Sequence, residues 1–133
     1  MSRENVEVVL AGYAAAERQD PSAFELVDEE VLWDMTGLGM PDLARVYRGR
    51  DEVIQFWTSW LAAWEALEFD TDVLEAVGDH VVVEVRQRNR GVTSGVAVDF
   101  HYFQAFTVRG GRITASYATE TRAEARQAVG LPE

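Results

Sequence analysis

Apolar positions near the N-terminus recur at helical spacing. Val6, Val9, Leu10, Tyr13 and Ala14 predict a helix from about Arg3 to Arg18. Asp20-Pro21-Ser22 starts a second, short helix that carries Phe24 and Leu26 or Val27 inward, with proline where a missing N–H costs nothing. Val31 to Thr36 reads as a short strand, and the Gly and Pro content of 37–42 reads as a loop. A third helix runs from a cap at Asp51 to about Ala66, with Val53, Ile54, Trp57, Trp60, Leu61 and Trp64 on one stripe. After Leu67 the period changes to two. Phe69–Val77, Val81–Asn89, Val96–Val108 and Ile113–Thr119 predict four strands, with turns at Gly78-Asp79, 91–95 and Gly110-Gly111. A last short helix spans Thr121 to Val129 and stops at Gly130. Helices first and a long-stranded antiparallel meander after them is an α+β layout.

Alternation sorts the strand faces. Val96, Val98, Phe100, Tyr102, Gln104, Phe106 and Val108 share one face with Val81, Val83 and Val85, and this face should meet the helices. Gln87 and Asn89 lie on the same face at the strand end. The opposite face collects Glu84, Arg86, Arg88, Asp99 and His101 around Phe103. That set reads as cross-strand ion pairs under solvent or, with Ala97 and Ala105, as an interface between two copies.

Composition narrows the chemistry. A chain of 133 residues, 47% hydrophobic and 26% charged, has the size and balance of one folded domain. Its net charge of -11 disfavours nucleic acid and anionic membrane, because phosphates would be repelled. All 12 basic residues are arginine, which removes Schiff-base lysine chemistry, and the absence of cysteine removes thiol nucleophiles and zinc-thiolate sites. His80 and His101 lack partners at metal-ligand spacing, so no metal and no cofactor are expected. No segment has the apolar length of a membrane span or a signal peptide, and the expectation is a cytoplasmic domain.

Asp34 stands in the apolar segment Val31-Leu32-Trp33-Asp34-Met35-Thr36-Gly37 and shares a face with Leu32 and Thr36, opposite Trp33. It either faces water, capping the glycine turn, or sits in a pocket where a carboxylate has a task. The tryptophan stripe likewise reads as core or as the floor of a site for a flat hydrophobic ligand.

Two motifs carry a family resemblance. Tyr47-Arg48-Gly49-Arg50-Asp51-Glu52-Val53-Ile54-Gln55-Phe56-Trp57 resembles a glycine-led helix entry, and Phe106-Thr107-Val108-Arg109-Gly110-Gly111-Arg112-Ile113 resembles an aromatic strand end and hairpin. Both are similar to the SnoaL-like and ketosteroid-isomerase-like group of the NTF2-like superfamily, and the order of elements agrees over residues 1–133 as a single domain. The resemblance implies a cone-shaped (cystatin-like α+β roll) fold, with helices packed on a strongly curved antiparallel sheet around a deep apolar pocket. It also implies a homodimer through the sheet face. In ketosteroid isomerases a carboxylate base precedes the loop after this strand and a tyrosine donates to the substrate oxyanion; Asp34 and Tyr13 occupy those places, as the catalytic pair. The resemblance departs at a third role, a protonated acid near Tyr102. The acid at hand, Asp99, alternates outward, so Tyr102 or Gln104 would have to donate. Trp33, Tyr47, Trp57, Trp60, Tyr102, Gln104, Phe106 and Tyr117 complete the candidate ligand site. The expected activity is proton transfer next to a carbonyl of a small hydrophobic or polycyclic compound, of isomerase, cyclase or dehydratase type. A non-catalytic binding or dimerising module is the alternative.

Overall fold

Residues 2–39 and 45–132 are described by the computed structural model. Helix α1 (Ser2–Glu17) is followed by a 3-10 helix (Pro21–Leu26), whose cap is the Asp20 side chain accepting from Ser22 N–H. Strand β1 (Val27–Gly37) begins four residues earlier than the expected Val31, because Val27 already turns inward and is buried. Of the expected 37–42 loop, residues 40–42 lie outside the described residues. A short strand β2 (Val46–Arg48), which the residue pattern did not mark, pairs antiparallel with β1.

Helix α2 (Arg50–Ala62) starts from Gly49, not from a cap at Asp51. Gly49 has φ +85, a left-handed conformation that side chains disfavour, and its N–H donates to Val31 O at 2.8 Å. Glu52 reaches back from the first turn to accept from Arg48 N–H at 3.1 Å. The helix stops at Ala62, and Trp64 opens strand β3 (Trp64–Val77) rather than closing the helical stripe. No glycine or proline marks that junction, and the Trp60-to-Trp64 spacing fits a helix by coincidence.

Strands β4 (His80–Gly91), β5 (Ala97–Arg109) and β6 (Arg112–Thr119) complete the expected antiparallel meander. The sheet order is β2-β1-β6-β5-β4-β3, and β1 joins β6 in parallel. Bulges in the β1/β6, β3/β4 and β5/β6 pairings add local bend, and the sheet curves around α1 and α2. Val9 and Val53 from the helices and Val81, Val83, Val85, Phe106 and Val108 from the sheet form the buried inner layer. At about 25 cal/mol per Å² of apolar surface removed from water, this layer is the main driving force for the fold. The predicted inner face holds from Phe100 onward, but Val96, just ahead of β5, and Val98 are 59% and 36% exposed.

Helix α3 (Arg122–Ala128) lies on the outer face. Thr121 caps it by accepting from Glu124 N–H, and Thr121 Oγ donates to Glu124 Oε1. Ala125, fully buried, packs on Val82 and Ala105, where a small side chain lets helix and sheet approach closely. Glu75 anchors the helix through Arg122 at 3.2 Å and through Arg126. Beside it the outer face carries the expected ion pairs, Arg86 on Glu84 at 3.2 Å and Arg88 on Asp99 at 2.9 Å, and His101 Nε2 lies within hydrogen-bond distance of Glu84 at 2.7 Å.

Candidate ligand-binding site

Between the helices and the inner face of the sheet lies a cavity of about 640 Å³, within the range of small-molecule sites. Helices α1 and α2, the 3-10 helix and the sheet build its apolar wall. One face of α1 supplies Val9, Gly12, Tyr13 and Ala16; α2 supplies Phe56, Trp57, Trp60 and Leu61; the sheet supplies Trp33, Met35, Phe69, Phe100 and Phe106. The rings brace one another edge to face, with Trp33 at 6.3 Å from both Trp57 and Phe106 and Tyr13 at 5.9 Å from Phe106. Exposed Gln19, Thr58 and Glu120, with half-buried Asp20, stand at the solvent edge.

The wall has one polar patch, made of two short relays. Tyr13 Oη donates to Gln104 Oε1 at 2.6 Å, and Gln104 Nε2 donates to Ser116 Oγ at 2.8 Å. Tyr102 Oη donates to Gln87 Oε1 at 2.7 Å, and Gln87 Nε2 donates to Asn89 Oδ1 at 2.9 Å. Asn89 Nδ2 and Trp33 Nε1 are buried without a hydrogen-bond partner among the described residues. Burial raises the pKa of both hydroxyls, and for Tyr13 the neighbouring Tyr102 raises it further. Both tyrosines are therefore neutral at physiological pH. Among the described residues no group of three or more His, Asp or Glu side chains is arranged to hold a metal ion.

The family profile of the SnoaL-like domain matches residues 9–116. The chain belongs to the SnoaL-like family. No curated protein matches it in sequence. Solved structures share the fold at low identity. TerC, co-crystallised with polyporic acid, superposes with a TM-score of 0.74 at 20% identity, covering 93% of this chain and 96% of its own. An NTF2-like protein of unknown function from Burkholderia pseudomallei gives 0.75 at 22%, covering 96% and 98%. A protein from Xanthomonas campestris, provisionally named a polyketide cyclase, gives 0.75 at 20%, covering 92% and 93%. The NTF2-like cone with its N-terminal helices and curved sheet is thus the fold of this SnoaL-like chain.

Of the expected site residues, Tyr13, Trp33, Trp57, Trp60, Tyr102, Gln104 and Phe106 meet in the cavity. Three do not. Asp34 is absent from the lining: alternation along β1 sends Trp33 and Met35 inward and Asp34 to the other face, where its Oδ1 accepts from Thr36 N–H and Oγ at 2.8 and 2.6 Å. Tyr117 pairs with Asp34 and Ala105 across the strands and follows them to the outer face. Tyr47 is buried at 7% exposure, but on the far side of Phe56, with ring centroids 4.5 Å apart and the Arg45 guanidinium over its face. Trp64, once part of the stripe, meets Trp60 and Phe100 at 5.4 and 6.4 Å behind the cavity wall. Gln87, Met35, Phe56 and Phe100 are lining residues that the sequence reading did not assign to the site. Alternation back from Val85 carried the signal for Gln87.

Proposed function

We propose that this SnoaL-like domain binds a neutral, flat, oxygen-bearing aromatic or polycyclic molecule inside the cone. One observation carries the reading: the cavity is aromatic in its depth, its polar groups there are uncharged tyrosine and amide side chains, and its carboxylates, Asp20 and Glu120, stand at the solvent edge. Bringing a charged ligand into that depth would strip its water without an opposite charge to replace it, a penalty of several kcal/mol. Co-crystallisation of the fold relative TerC with polyporic acid supports a small organic ligand.

Proton transfer next to a carbonyl needs a base close to the carbon acid. With Asp34 turned away, Asp20 tied to Ser22 N–H and its pKa lowered by that bond, and Glu120 and His101 exposed at the cavity's outer side, the geometry favours the binding alternative over isomerase, cyclase or dehydratase chemistry. Pairing of two copies belongs to the same proposal. Since α3 covers Ala105, the face left for a homodimer lies around Arg86, Arg88, Asp99 and His101, and a monomer in sedimentation at micromolar concentration would reject it.

The test is a matched ligand series followed by tryptophan fluorescence and thermal unfolding. Naphthalene and anthraquinone should perturb the emission and raise Tm, while naphthalene-2-sulfonate and a naphthyl trimethylammonium salt should do neither. Unchanged emission and Tm with every compound would overturn the pocket reading.

A further inference from the structure

The relays decide more than polarity; they decide which partner of a hydrogen bond the ligand must be. The tyrosine hydroxyls donate to the amide oxygens at 2.6 and 2.7 Å, and the amide nitrogens donate onward at 2.8 and 2.9 Å. In this arrangement Gln104 and Gln87 turn their carbonyl oxygens to the tyrosines and their NH2 groups to Ser116 and Asn89. Gln104 and Gln87 are 5% and 6% exposed and Ser116 and Asn89 are fully enclosed, so this wiring is shielded from water. Each tyrosine has a single hydroxyl hydrogen, and both are committed to a glutamine. What remains at each oxygen, towards the cavity, is a lone pair.

We propose that the patch formed by Tyr13 and Tyr102 is an acceptor site, selective for ligands that present a hydroxyl donor, so that the bound class is phenolic or hydroxylated polycycles rather than ketones or ethers. This rests on the binding reading above and narrows its ligand. At the two tyrosines a ligand carbonyl could be served only by turning a hydroxyl hydrogen away from its glutamine, which would leave a buried amide oxygen unpaired. Such a loss outweighs the net gain of one new neutral hydrogen bond. The assignment is opposite to an oxyanion site, in which the same hydroxyls would donate.

The experiment compares 2-naphthol, 2-methoxynaphthalene and 1-tetralone by calorimetric titration of the wild-type chain. 2-Naphthol should bind about tenfold tighter than the ether and the ketone, the difference expected of one buried hydrogen bond. Gln104→Leu removes the acceptor that holds the Tyr13 hydrogen, so tetralone affinity should rise relative to naphthol in that variant. A naphthol preference of threefold or less in the wild type overturns the acceptor assignment and leaves the pocket reading standing. Binding of none of the three compounds overturns both. The wild-type comparison is decisive even if Gln104→Leu fails to fold.

Discussion

Asp34 and Thr36 form a closed local pair: one carboxylate oxygen receives both the backbone N–H and the hydroxyl of the residue two places on, at 2.8 and 2.6 Å. The pairing occupies the carboxylate at the end of β1, on the face away from the cavity. It is a strand-end turn device, of the kind aspartate supplies wherever a chain must bend after a strand. Asp34→Ala should therefore lower stability by about 1 kcal/mol, the ordinary loss for such hydrogen bonds. Affinity for naphthalene should stay within twofold. A tenfold loss of affinity at unchanged fold would return Asp34 to the site.

Gly12 has the opposite character. It lies on α1 between cavity-lining Val9, Tyr13 and Ala16, and a Cβ built there meets nothing within 4 Å. Its backbone is ordinary right-handed helix, so glycine is not required by conformation. Gly12→Ala should stabilise the chain by roughly 0.5–1 kcal/mol through the lower entropy of the unfolded state. Gly12→Leu should project into the hollow, keep the fold and abolish naphthalene binding. Retained affinity in Gly12→Leu, with a wild-type circular dichroism spectrum, would place the ligand elsewhere.

The buried tyrosines predict the alkaline limit of the fold. Tyr13 and Tyr102 hold their protons in the folded state well above the usual tyrosine value of ~10, whereas the unfolded chain releases them near it. Their contribution is fully present below pH ~10. Above that the unfolded state binds fewer protons, and stability should fall by up to ~1.4 kcal/mol per pH unit for each group. With no lysine or cysteine in the chain, tyrosines dominate this window. Tyr47, raised by burial, adds in the same direction. Denaturant unfolding from pH 9 to 12 measures the slope, and Tyr102→Phe should make it shallower by about one proton. An unchanged slope in that variant would mean that Tyr102 ionises as readily folded as unfolded.

Much of the architecture was legible because periodicity is local. The two-residue alternation of β4 and β5 named the inner face down to Gln87 and Asn89, and the helical stripe put Trp57 and Trp60 on the side of α2 that faces the cavity. Where local pattern was silent, expectations slipped. Trp64 sits at helical spacing from Trp60, and no breaker residue announces that the chain has passed into β3. The three residues of β2 are too few to show a period.

By itself the amino-acid order determined the α+β layout, the faces of the long strands and the exclusion of thiol and lysine chemistry, because each depends on residue type and near-neighbour spacing. Only tertiary structure decided that Asp34 turns away with Tyr117, that Tyr47 backs onto Phe56, and that Tyr13 finds Gln104 across 91 positions of chain. Those outcomes depend on the parallel pairing of β1 with β6 and on the bend of the sheet around α1. Pairings of that range arise when distant segments bury their apolar faces together, and short-range spacing holds no record of which distant side chains will then meet.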